Sequence, residues 1–136
     1  YLGDGSPQAV DWDFSKRQPD LVVINLGTND NSYVQTDAER KDEYVNGYVE
    51  FLKTVRKCNP DAKIFCTLGI MGTELCPAME EAVAEYQSKT GDENISSMRF
   101  DAQLPSDGYA ADWHPTETTH GKSAEKLAKA IEAILQ

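Results

Sequence analysis

The sequence predicts an α/β fold, a parallel sheet with flanking helices. Three observations carry that expectation. Three short apolar runs are bounded by turn residues: Leu21–Leu26 (LVVINL), Lys63–Leu68 (KIFCTL) and Ile95–Phe100 (ISSMRF). Stretches with apolar residues at helical spacing alternate with them. The first two runs are nearly continuous in apolar or β-branched residues, as expected of parallel strands covered on both faces. Such alternation closes through right-handed crossovers into one sheet. No repeat, low-complexity segment or linker interrupts residues 1–136, which read as one unit.

The elements follow in order. After the first strand, Thr36-Asp37-Ala38-Glu39 has the form of a capping box. Val45, Tyr48, Val49, Leu52 and Val55 then share one helical face, and Asn59-Pro60 stops that helix. After the second strand, Pro77 suits a first helical turn, with Met79, Ala82, Val83 and Tyr86 as the buried stripe. A last helix starts near Thr116 and is expected to bury Ala124, Leu127, Ala128, Ile131 and Leu135. Trp12 and Phe14, ahead of the first strand, read as packing residues, and His120 as a structural residue of the last helix.

A formal charge of -10 argues against nucleic acid or an anionic membrane surface as partner. Neutral ligands stay open, since electrostatic steering is of little use to them. No run reaches the roughly 18 apolar residues of a membrane span. The start YLGDGSPQ has neither a basic region nor an apolar core of a signal peptide, which suggests a mature or excised piece. Cys58, Cys66 and Cys76 lack CxxC spacing, so a zinc site is not expected. Cys66 reads as a buried thiol, and a Cys58–Cys76 pair is left open. The acidic residues, Glu80 and Glu81 among them, read as solvated faces with no calcium or zinc spacing.

Ligands of open parallel sheets bind outside the carboxyl ends of the strands. Two segments meet that requirement. Gly27-Thr28-Asn29-Asp30 follows LVVINL: Gly27 lets the backbone turn sharply, and Asn29 offers a neutral amide suited to an oxyanion hole. The same residues also make an ordinary turn. Ala111-Asp112-Trp113-His114-Pro115 precedes the last helix, and His114 can take and return a proton near neutrality. Its alternative is a polar residue flanking a helix. Trp113 is either a platform for a neutral sugar ring or a filler between loop and helix. Tyr33 is a candidate for the pocket rim.

PDLVVINLGTND together with DWHPTETTHGKSAEKLA resembles the SGNH (GDSL-type) hydrolases, most closely the family 2 carbohydrate acetylesterases. The resemblance runs from Trp12 onward and implies a flavodoxin-like three-layer fold lacking its first strands. It implies that Asn29 contributes to an oxyanion hole and that His114 is the catalytic base. The family's Asp, three residues before the His, is Ala111 here. Asp112 would point another way in an extended segment, so a Ser–His dyad with the ring held by a backbone carbonyl is preferred, Asp112 staying open as third member. The nucleophilic Ser belongs to a Gly-Asp-Ser block. Gly3-Asp4-Gly5-Ser6-Pro7 imitates that block only superficially, since no strand precedes it, a Gly intervenes and Pro7 follows. The nucleophile is therefore expected to be missing, and the chain to be the C-terminal part of one catalytic domain.

The resemblance implies a secreted carbohydrate O-acetylesterase without cofactor, acting on acetylated polysaccharide or oligosaccharide. A sugar-binding domain without catalysis, or an inactive fragment, is the alternative. A flavodoxin-like domain of unrelated role lacks support, because no glycine-rich phosphate loop follows any strand. Without the nucleophile strand, LVVINL is expected to be an open apolar edge, covered by an upstream segment or by a second copy.

Overall fold

The computed structural model describes residues 12–135. All three strands form: β1 (Leu21–Asn25), β2 (Lys63–Leu68) and β3 (Ile95–Arg99), parallel and in the order β1-β2-β3. Leu21 lies beside Lys63, and Ile64 beside Ile95. The outer strands end one residue earlier than the apolar runs do, because Leu26 and Phe100 already lead into turns. Among the described residues four α-helices accompany them: α1 (Asp30–Val34), α2 (Ala38–Cys58), α3 (Cys76–Thr90) and α4 (Glu117–Leu135). The GTND segment, read as a turn, thus opens a short helix.

The cap of α2 is Asp37 rather than Thr36. Its backbone is extended, and its carboxylate accepts from the Glu39 and Arg40 amides at 3.0 and 3.2 Å. A carboxylate there also meets the positive end of the helix dipole, which a hydroxyl does less well. Pro77 lies in the first turn of α3, and Gly91 ends that helix at φ 70.

One face of the sheet holds the core. Val45, Tyr48, Val49 and Leu52 of α2 and Met79, Ala82, Val83 and Tyr86 of α3 pack on Ile24, Ile64, Cys66, Leu68 and Ile95. These are the stripes that the 3.6-residue period marks. Leu52 and Met79 are fully buried, so truncating either to Ala costs about 2–5 kcal/mol. Arg56 locks the far end of this layer. Its guanidinium binds Asp92 at 2.8 Å and the carbonyls of Asn59, Pro60, Ala62 and Asn94.

The other face is covered unevenly. Phe65 and Thr67 are buried there, and Lys63 reaches the Ile134 carbonyl near the end of α4. Strand alternation puts these three residues opposite the core face. Toward β1 the cover thins, with Val23 exposed. The outer edge of β1 has no strand partner among the described residues.

Three expectations need correction. The α4 stripe is not buried: Leu127 and Ile131 are half-buried, while Ala124, Ala128 and Leu135 are exposed. A helical stripe records which face is apolar but not whether a further layer arrives to cover it. Trp12 and Phe14 are likewise exposed, because the 3-10 turn Phe14–Lys16, capped by Asp13, buries none of its residues. His120 is an exposed residue of α4 rather than a packed one.

All three cysteines are free thiols. Cys58 ends α2 and Cys76 begins α3. Those termini lie at opposite edges of a parallel sheet, which rules out their pairing here. Burial pushes the Cys66 thiol up to about 11, so it stays protonated at neutrality.

Candidate functional site

Parallel strands bring their carboxyl ends to one rim, and both candidate segments leave from it. At the end of β1 the chain turns through Gly27, at φ 135. A Cβ there would sit 2.8 Å from the Tyr44 hydroxyl and 3.0 Å from the Leu68 methyls, so the position requires glycine. Gly69, at the end of β2, is similar: φ is 123, and a Cβ would stand 2.8 Å from that of Phe100. Tyr44 donates its hydroxyl to the Leu26 carbonyl at 3.3 Å, holding the first of these turns.

Asn29 directly follows this turn, at the N-terminus of α1. Its side chain is exposed and makes no capping hydrogen bond. The amide is therefore not consumed in holding the helix. Tyr33, one turn further, donates to Glu43 at 2.9 Å and lies under the Arg40 guanidinium, 4.8 Å from the ring centroid. The Glu43 carboxylate raises that phenol above its ordinary value. A cleft of about 500 Å³ opens beside it, with Leu26, Asp30, Tyr33, Tyr44 and Phe51 in its wall. Tyr33 thus lines a cleft, but one whose wall includes neither Asn29 nor His114, so this is not the shared pocket rim that the sequence suggested for it.

His114 stands at the end of a tight loop. Ala111–Trp113 form a 3-10 turn, not an extended segment, with Asp112 at φ 52 and Trp113 at φ 62. Two consecutive left-handed residues that are not glycine store roughly 1–3 kcal/mol each, so the surroundings must over-determine them. They do. The Ala110 amide donates to the His114 carbonyl at 2.8 Å, the His114 amide to the Ala111 carbonyl at 3.1 Å, and Tyr109 bridges to Pro115. Behind the loop, Thr116 donates its hydroxyl to the Asp107 carbonyl at 2.9 Å, and Lys122 pairs with the Asp107 carboxylate at 2.6 Å.

The ring itself is held by the main chain. His114 Nδ1 lies 3.0 Å from the Ala111 carbonyl oxygen. A carbonyl only accepts, so this contact requires the proton on Nδ1. The neutral ring then carries its lone pair on Nε2, the state a general base needs. Asp112, on the other side of the turn, is not the partner of Nδ1. Trp113 is 71% exposed, which removes the reading of a filler between loop and helix. Its indole meets Tyr109 edge-on, centroids 5.2 Å apart.

Sequence reasoning missed the bonds that tie the rim together. Asn25 Nδ2 donates to the Gly69 carbonyl at 3.3 Å, linking the ends of β1 and β2. The Gln103 amide donates to the Ile70 carbonyl at 2.9 Å, and its side-chain Nε2 to the Trp113 carbonyl at 2.8 Å. Gln103 therefore joins the loop after β2 to the His114 turn. The partners are ten or more residues apart, so no local pattern announces them. Among the described residues no cluster of His, Cys, Asp and Glu could hold a metal ion, and no helix is long and apolar enough to cross a membrane. Ser6 lies outside the described residues.

A three-layer sheet whose rim carries a strand-end Gly-Thr-Asn-Asp turn and a His-Pro turn is the frame of a serine-type acyl hydrolase. The chain belongs to the GDSL-like lipase/acylhydrolase family, whose model matches residues 3–122. Within that family its likeness is to the family 2 carbohydrate esterases. It is 41% identical over 126 residues to the cellulase/esterase CelE of Acetivibrio thermocellus, covering 90% of this chain and 15% of that protein. It is 32% identical over 137 residues to an acetylxylan esterase/glucomannan deacetylase of Cellvibrio japonicus, covering 98% of this chain and 36% of that one. Its structure matches that of a family two carbohydrate esterase from Clostridium thermocellum in complex with cellohexaose. That match has a TM-score of 0.82 and 41% identity, and covers 94% of this chain and 40% of the other. The chain thus spans well under half the length of these relatives.

Proposed function

We propose that this chain supplies the base and an oxyanion-hole donor of a carbohydrate O-acetylesterase. The observation that carries the reading is the His114 ring, held by the Ala111 carbonyl at 3.0 Å so that Nε2 is the basic nitrogen. In the proposed reaction a serine hydroxyl attacks the acetyl carbonyl while His114 Nε2 takes its proton. The imidazolium then returns that proton to the departing sugar oxygen. The Asn29 amide donates to the oxyanion as the carbonyl becomes tetrahedral. The Ala111 carbonyl does what a triad carboxylate otherwise does: it orients the ring and accepts from Nδ1–H through both steps. Asp112 is not needed for that, and the pair works as a dyad. Gly27 places Asn29, Trp113 and Tyr109 form an aromatic corner for a neutral sugar ring, and Tyr33 borders the neighbouring cleft.

The names of the relatives support acetylated xylan or glucomannan as the substrate class, and an acidic chain suits a neutral polysaccharide. We place the protein outside the cell on the strength of the family resemblance. No nucleophile is assigned among the described residues. The chain alone should therefore hydrolyse a chromogenic acetate ester no faster than its His114→Ala variant, because a base without a nucleophile has little to activate. Turnover that depends on His114 in the chain as it stands would overturn this and make Ser6 the residue to replace next.

A second reading is sugar binding without catalysis. It is favoured by the exposed Trp113–Tyr109 corner, which offers an aromatic face to solvent independently of any nucleophile. Titration with xylo- and cello-oligosaccharides beside an acetate-ester assay on the protein at the length of its relatives separates the readings: binding that is lost with Trp113→Ala, with no turnover that depends on His114, supports the second.

A further inference from the structure

We infer that Gln103 is a positioning residue for His114, setting which ring nitrogen is basic. The inference rests on the reading of His114 as a general base, and it concerns the turn that aims the ring. Gln103 is fastened at both ends. Its backbone amide holds the Ile70 carbonyl beyond β2 at 2.9 Å, and its side-chain Nε2 holds the Trp113 carbonyl at 2.8 Å. Trp113 is one of two consecutive left-handed residues in the turn, at φ 62. Its carbonyl belongs to the peptide that leads into His114. Fixing that oxygen fixes the peptide plane, and with it the placement of the ring over the Ala111 carbonyl.

The other end of the same amide argues against a purely structural role. Gln103 Oε1 is buried and has no hydrogen-bond partner among the described residues. A buried unpaired acceptor is a standing cost to the fold, and an apolar side chain of the same shape would remove it. A glutamine at this position is thus a poor choice for stability and a good one for donating to Trp113. The remaining ties of the turn are local backbone bonds or run to α4, so Gln103 is its link to the end of β2.

The test uses the chain itself and reads the imidazole proton directly. The chain has two histidines, and His120, exposed on α4, serves as the internal reference. Long-range ¹H–¹⁵N spectra at a pH where both rings are neutral report the tautomer of each. The wild-type chain should show His114 predominantly protonated on Nδ1, in contrast to His120. Gln103→Met keeps the length and removes both the donor and the orphan acceptor. Gln103→Glu keeps the shape and, ionised, has no donor. In both variants the His114 tautomer should relax toward that of His120. The urea midpoint of Gln103→Met should stay at or above that of the wild type. An unchanged His114 tautomer in both variants would overturn the proposal. So would a Gln103→Met chain that loses its fold or much of its stability, since Gln103 would then be a structural residue. Neither readout involves turnover, so failure of the esterase reading and failure of this one are distinguishable.

Discussion

Replacing Gly27 with alanine should destabilise the chain by roughly 2–6 kcal/mol, combining two costs that the structure shows together. The first is conformational: at φ 135 an L-residue lies outside its normal range, at a cost of roughly 1–3 kcal/mol. The second is steric. The new methyl would stand 2.8 Å from the Tyr44 hydroxyl and 3.0 Å from both Leu68 methyls. Leu68 is a fully buried core residue and cannot retreat, so overpacking adds about 1–3 kcal/mol. Tyr44 would also have to release the Leu26 carbonyl. With a urea dependence of about 2 kcal/mol per molar, the unfolding midpoint should fall by about 1–3 M. Gly47→Ala is the control. Its Cβ would meet nothing within 4 Å, and its place inside α2 makes alanine the better helix former by about 0.5–1 kcal/mol. The two alanines should therefore shift stability in opposite directions. A Gly27→Ala chain within about 0.5 kcal/mol of wild type would refute the reasoning, because surface substitutions away from such features fall in that range.

Three further outcomes follow from the same geometry. Asp92 is raised by burial but lowered further by its bonds from Arg56, the Asn94 amide and the Tyr86 hydroxyl, so its folded pKa lies below the ordinary value. The stability this contributes is present above the unfolded value of about 3.9 and is lost as pH falls through the folded value. Asp92→Asn should flatten the acid limb of a stability-against-pH curve, and Arg56→Ala, which strands a partly buried carboxylate, should cost about 3–5 kcal/mol at neutral pH. In the protein at the length of its relatives, Asp112→Asn should change kcat/KM less than about threefold. A loss of about 10⁴-fold, as when a triad carboxylate is replaced, would make it the third member after all. Trp113→Ala should weaken oligosaccharide binding in titration while leaving the unfolding free energy in urea within about 0.5 kcal/mol of the wild type, since the side chain is 71% exposed.

What the sequence made legible was whatever depends on local period and spacing. The runs LVVINL, KIFCTL and ISSMRF became β1, β2 and β3, and the stripes on α2 and α3 became the core. The α4 stripe went wrong for a physical reason. Periodicity marks Leu127, Ile131 and Leu135 as one face, but burial depends on a layer that no pattern in α4 encodes. Asp37 displaced Thr36 as a cap because the two compete over one residue of register, where charge tips the balance. At the rim, Gly27 and Asn29 were placed directly behind a strand and His114 in the turn before the last helix, and the structure has them there. A main-chain partner for the ring was expected from the resemblance once Ala111 stood where the family has Asp, and the structure identifies it as the Ala111 carbonyl. The left-handed pair Asp112–Trp113 was hidden, because neither is glycine. Gln103 was invisible in sequence: its meaning lies in carbonyls of residues 70 and 113, and only the folded rim brings them to it.

The central claim is that Asn29 and His114 serve one acetyl-ester site. The most direct measurement is the steady-state hydrolysis of acetylated xylan and of a chromogenic acetate. It should be made on the protein at the length of its relatives, as wild type, Asn29→Ala and His114→Ala. His114→Ala should abolish nearly all turnover. Asn29→Ala should lower kcat by about 10²–10³-fold with KM little changed, the loss expected of one oxyanion-hole donor. Equal activity in all three proteins would contradict the account, and so would an Asn29→Ala effect confined to KM.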